Sequence, residues 1–218
     1  MKIFILAAHE NWITDQLKTE WINNNQHIYT TDINEATIIW VLSSYIIDQI
    51  PHSILLKKKV ITTIHHLVPD KIDHNKQQQL AYLNQVTDIF ATNNSKCKEL
   101  LSNYVNKPIQ IIKLWHNEKI WFNIEDKNML RRKFGIDEDC FLIGSFQRDT
   151  EGAGINKGIY LPKLEKGPDL FIQALLKIRD SNKLNDLYNN ENSHQQNKKK
   201  KQIKVLLTGL RRQYVIEN

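Results

Sequence analysis

The 218-residue chain has only two cysteines, Cys97 and Cys140, and neither belongs to a CxxC or Cys/His spacing. That pattern excludes a disulfide framework and a cysteine-based zinc site, and it fits a reducing, cytoplasmic setting. Glycine is scarce as well. Gly152, Gly154 and Gly158 lack the GxGxxG spacing, and no Walker A, GxSxG or HExxH sequence occurs. Dinucleotide loops, P-loops, serine-hydrolase elbows and zinc-protease helices are therefore excluded, and neither a metal nor a cofactor is expected. No apolar run approaches the ~18–20 residues of a membrane-spanning helix, so any membrane association is expected to be peripheral. Met1 to Ala8 has the Lys and short apolar run of a signal peptide, but His9, Glu10 and Asn11 interrupt it, and it reads instead as a first strand.

The composition, 41% hydrophobic and 25% charged, supports a packed core. The length exceeds one typical domain of ~100–150 residues and is short for two equal α/β domains. Residues 1–70 carry five Lys and seven acidic groups, whereas residues 71–218 carry 25 basic and 17 acidic groups, so the net charge of +6 arises in the later part. Basic runs without interleaved aromatics do not make a nucleic-acid stacking platform, and no nucleic-acid partner is expected. Lys57 to Lys59 and Lys198 to Lys201 read as solvated faces; the first also suits anionic lipid heads.

Residues 2–7 read as a strand, apolar without a break after Lys2, followed by Trp12, Ile13, Leu17 and Trp21 at helical spacing. β-Branched runs at 37–42, 60–64, 88–92 and 108–113 alternate with helical segments at 73–85 and 96–103, the second with Ser95 as its expected N-cap. Such alternation predicts a parallel sheet with ligands outside the carboxyl ends of the strands. A helix over 127–134 ends at Gly135, and a new strand starts at Cys140. The expected organisation is a Rossmann-like α/β domain over 1–138, then the opening of a second such domain over 139–218. In the second part Pro168 starts an amphipathic helix, 181–202 reads as a solvated, disordered loop, and a strand over 202–208 ends at Gly209. Two strands leave an open edge, to be covered by a partner chain or a downstream segment.

Four pieces in order carry a family resemblance. They are Thr87 to Lys96 with Glu99, Ile111 to His116 with Trp121 and Phe122, Phe141 to Arg148, and Leu164 to Leu175 with Lys166, Gly167, Pro168 and Asp169. The set resembles the retaining, nucleotide-sugar-dependent glycosyltransferases of the group 1 superfamily, which have the two-domain GT-B fold. The resemblance implies a truncated GT-B architecture, with an acceptor-side domain followed by an incomplete donor domain. It further implies transfer of a sugar from a nucleotide-sugar to a glycan, lipid or protein acceptor, with retention. Arg148 and Lys166 match the positions that grip the donor diphosphate, and Gly144, Ser145, Gly167 and Gly209 match the donor-site loops. The Asp149 to Lys163 extension departs from the pattern and leaves Lys157-Gly158 as a competitor of Lys166-Gly167. His65 and His66, at the end of a buried-type strand, match a catalytic-cleft histidine, and the choice between them stays open. The family's two glutamates separated by seven residues are missing, since no two Glu in the chain stand eight positions apart. A non-catalytic binding or assembly subunit is the alternative.

Overall fold

The computed structural model describes residues 1–10, 13–119, 122–147, 149–150, 161–180, 203–208 and 215–216. They fall into two compact units, Met1–Asn123 and Ile124–Asn218. The division puts the helix that follows Asp126 in the second unit.

The first unit is an α/β fold. Its strands are β1 (Ile3–Leu6), β2 (Ile38–Val41), β3 (Lys59–Thr63), β4 (Ile89–Thr92) and β5 (Ile109–Ile111), and its helices are α1 (Ile13–Asn25), α2 (His52–Leu55), α3 (His74–Val86) and α4 (Ser95–Leu101). All strand pairs are parallel, in the order β1-β2-β3-β4-β5. One short feature alters the meaning of that order. Tyr29 makes a parallel bridge to Ile3, and the Thr30 amide donates to the Ile3 carbonyl at 3.1 Å. The Ile38 amide donates to the neighbouring Lys2 carbonyl, which points to the opposite edge of the strand. The chain thus touches one edge of β1 at Tyr29 and then crosses to the other edge as β2. β1 is therefore a topological switch point, where the direction of winding reverses.

The apolar runs are explained by burial on both faces. Ile39 and Val41 of β2 pack with Val60, Leu80, Leu83, Phe90 and Leu101, so α2, α3 and α4 cover that side. Trp40 and Leu42 alternate to the other side with Ile3, Ile5 and Ala7, beneath Trp21 of α1 and Trp115. The Trp40 ring meets Trp21 edge-on at 6.1 Å and Trp115 at 6.0 Å, and its indole N–H donates to Thr63 Oγ1 at 2.9 Å. Trp115 Nε1 donates to the Leu17 carbonyl, which fastens the segment after β5 across α1. Between β3 and the turn before β4, Thr62 and Thr87 share a buried hydroxyl hydrogen bond of 2.7 Å.

Caps follow side-chain chemistry. Asp73 accepts from the Lys76 amide and opens α3. For α4 the cap is Asn94, not the expected Ser95, because Asn94 has extended backbone and its Oδ1 accepts from the Cys97 amide at 2.8 Å. At the amino end of the sheet, Lys58 Nζ donates to the carbonyls of Asn34 and Ala36, and Lys59 pairs with Asp88 at 3.5 Å. Two of the three clustered lysines thus tie loops together.

In the second unit α5 (Lys127–Lys133) is capped by Asp126 and stopped by Gly135, whose φ is 63°. Arg131 Nη1 donates to the carbonyls of Asp137, Glu138 and Cys140, binding α5 to the entrance of β6 (Phe141–Ser145). β6 pairs in parallel with β7 (Ile203–Leu207), and α6 (Pro168–Asp180) lies between them in sequence. Lys204 of β7 bonds Asp137, which holds the Asp137 carboxyl below its usual range and raises the Lys204 ammonium. Of the ten residues in these two strands only Ser145 is buried. The predicted loop over 181–202 lies outside the described residues, as does Gly209.

The Trp40 to Thr63 hydrogen bond yields a direct test. Thr63→Val keeps the shape and removes the acceptor, leaving a buried indole N–H unpaired. Stability is expected to fall by about 1–3 kcal/mol, read as a lower urea midpoint with an unchanged slope.

Candidate functional site

The carboxyl end of the first sheet collects the polar residues that follow each strand. His9 and Glu10 come from β1, Ser43 and Tyr45 from β2, His65 and His66 from β3, and Asn94 and Lys96 from β4.

The two histidines differ in environment. His65 is half-buried, and its Nε2 lies 2.7 Å from the Leu42 carbonyl. A carbonyl only accepts, so His65 Nε2 carries the proton and donates; that nitrogen cannot serve as a base while the contact holds. His65 thus clamps the exit of β2. His66 is exposed and lines an open cleft of about 410 Å³ with Leu67, Asn94, Lys96, Cys97 and Glu99. Of the pair, His66 reaches an open cavity and His65 a neighbouring backbone.

At the switch point a second cluster forms, which the sequence reading did not single out. Tyr45 is 53% exposed and stands with Glu10 and buried Ser43 among the residues that follow β1 and β2. Loss of water around the hydroxyl, then the Glu10 carboxylate and the more distant Asp15, push the phenol above its ordinary value of 10.0. His9 has a left-handed φ of 55°, uncommon for a residue with a side chain, and its amide donates to Asp15 Oδ1 at 3.1 Å. A pocket of about 220 Å³ continues beside it, lined by His9, Asp15, Lys18, Thr19 and Ile22. Burial lowers the Lys18 ammonium, opposed by the charge of Asp15. The signal for this cluster is the Tyr29 bridge, one residue long, which no strand pattern marks.

In the second unit a side chain two residues past β6 reaches the turn that carries Lys166. Gln147 Nε2 donates to the Lys166 carbonyl, and the 3-10 turn Leu164–Lys166 runs into Gly167 and Pro168. Gly167 has φ 65° and ψ 38°; it ends the 3-10 turn, and its carbonyl accepts from the Phe171 amide as α6 begins. The long insertion is closed at its neck: the Lys163 amide donates to the Asp149 carbonyl at 2.8 Å, and Thr150 bridges Pro162 antiparallel. Lys163 itself is buried and pairs with Glu165 at 2.8 Å. Lys166 is exposed, at the N-terminal end of the thirteen-residue α6. Gly144 and Ser145 are the last residues of β6, with the exposed Phe146 ring lying over Gly144. Arg148 and Gly209 lie outside the described residues, as does Lys157-Gly158. Among the described residues no group of three or more His, Cys, Asp or Glu is arranged to hold a metal ion.

No known family model matches the sequence, and no curated protein does. The geometry therefore carries the functional argument. It consists of a sheet end with polar residues in the first unit, and in the second a junction where the turn bearing exposed Lys166 meets α6. Among the described residues no helix is long and apolar enough to cross a membrane.

Two measurements check this geometry. The folded chain holds the Tyr45 proton more tightly than the unfolded chain, so the associated stability is intact below about pH 10 and is lost as pH rises beyond it. A difference titration of the native chain against Tyr45→Phe should give a phenolate midpoint above 10, and Glu10→Gln should bring it back toward 10. Gly167→Ala meets no crowding, since a Cβ would lie 3.7 Å from Leu170, but it forces a left-handed backbone on alanine. A loss of about 1–2 kcal/mol in the unfolding of the second unit is expected, followed by hydrogen exchange of the α6 amides.

Proposed function

We propose that the chain comprises the acceptor-side domain and the opening of the donor domain of a retaining, nucleotide-sugar-dependent glycosyltransferase of the GT-B type. The observation that carries the reading is the junction after β6, where Gln147 holds the turn bearing Lys166 beside the strand end and Gly167 hands it to α6. Sugar transfer expels a nucleoside diphosphate, and catalysis requires cations positioned where that negative charge develops. Lys166 supplies a mobile point charge, the first amides of α6 supply oriented donors, and Arg148, next in sequence to Gln147, adds a planar fork for two phosphate oxygens. A switch-point sheet in the first unit supports the same reading, because its carboxyl end is the place where an α/β fold receives a ligand.

One observation favours a second reading. The apolar strands β6 and β7 leave Phe141, Val205 and Leu206 more than a third exposed, which suits a binding or assembly subunit whose sheet is completed by a partner. Sedimentation separates the two: a folded monomer removes the assembly reading.

Thermal unfolding with UDP-, GDP- and ADP-sugars at millimolar concentration tests the transferase. A ligand at a hundred times its Kd adds about 2.7 kcal/mol, enough for a clear rise in Tm. The expected result is a rise with one nucleotide class that disappears in both Lys166→Ala and Arg148→Ala. Failure of every nucleotide, or a rise that survives both substitutions, overturns the proposal.

A further inference from the structure

We infer that the pocket on the flank of α1, lined by His9, Asp15, Lys18, Thr19 and Ile22, binds a small zwitterionic α-amino acid, its carboxylate on Lys18, its ammonium toward Asp15 and its side chain on Ile22. The inference goes beyond the transferase reading and does not depend on it.

Three observations converge on this pocket. The first is its place and size. Asp15, Lys18, Thr19 and Ile22 stand at i, i+3, i+4 and i+7, so they form one stripe along about 10 Å of α1. His9 closes the Asp15 end of the stripe through its amide bond, and the space runs from there down the helix. Its volume of about 220 Å³ matches the liquid share of about seven waters. That admits a molecule the size of alanine, serine or valine and is too small for a nucleotide.

The second observation is an ammonium without an acceptor. Lys18 is half-buried, and among the described residues no carbonyl, carboxylate or hydroxyl accepts from it. Burial disfavours its charge more than Asp15 supports it. A carboxylate entering the pocket supplies the acceptors that the three ammonium protons lack. The third observation is the opposite pole on the same wall. Asp15 Oδ1 accepts from the His9 amide at 3.1 Å, which sets the carboxylate at the pocket's end and holds His9 at its left-handed φ of 55°. Thr19 gives its hydroxyl proton to the Asp15 carbonyl at 2.9 Å, so its oxygen is left to accept. A simple anion such as pyrophosphate meets Asp15, and a simple amine meets Lys18. A ligand that carries both charges answers both, and Ile22, one turn beyond Lys18, offers apolar surface to a short side chain.

The test is chemical-shift mapping of the isotope-labelled whole chain with alanine, serine and valine, beside acetate, methylamine and inorganic pyrophosphate. At least one amino acid should move the His9 and Lys18 amides saturably in the millimolar range. Acetate and methylamine, each with one of the two charges, should bind about tenfold more weakly, and pyrophosphate should leave those amides in place. Lys18→Met keeps the apolar stem and should weaken the amino acid about tenfold. Asp15→Asn keeps an acceptor for the His9 amide, removes the charge and should weaken it to a similar degree, with circular dichroism and Tm showing that both variants are folded. No binding by any amino acid, binding unchanged in Lys18→Met, or acetate binding as tightly as the amino acid overturns the inference. Lys18-dependent binding of an amino acid in a chain that answers no nucleotide-sugar leaves the pocket standing and removes the transferase.

Discussion

Trp40 is the residue on which the first unit turns. It lies in the strand next to the switch point, and its side chain joins three kinds of contact: a hydrogen bond to β3, an edge-on ring contact to α1, and a tilted contact to Trp115 beyond β5. Aromatic pairs of this kind contribute about 0.5–1.5 kcal/mol beyond their buried area. Their larger effect is geometric. By fixing α1 and the segment after β5 against one face, they leave α2, α3 and α4 to cover the other, and the carboxyl ends of the strands stay open between the two layers.

Each unit gathers polar residues beyond the carboxyl ends of its strands. At the switch point the Asp15 carboxylate accepts from the His9 amide. The junction after β6 carries an exposed ammonium at a helix start.

Much of the framework was legible in the sequence. Buried parallel strands read as unbroken apolar runs, so β1, β2, β3 and β4 stand where those runs are, and Gly135 ends α5 through the left-handed φ that its position predicts. What escaped were features with no period. The Tyr29 bridge is one residue long, α2 has four residues, and the choice of Asn94 over Ser95 as a cap depends on which backbone is extended. The site was legible in the same uneven way. His65 and His66 are adjacent letters with equivalent chemistry, and only the Leu42 carbonyl separates a clamp from a cleft residue. His9 and Asp15 are ordinary polar letters six positions apart until the left-handed turn after β1 brings the amide of one to the carboxylate of the other.

The closed neck between Asp149 and Lys163 has a meaning for how this chain can vary. A loop whose ends are already paired returns the backbone to the same point whatever its length, and closure entropy grows only with the logarithm of that length. A change of length between the two ends therefore need not displace the lysine three positions beyond the neck. The clasp of two residue pairs uncouples what lies on its far side from the geometry on its near side.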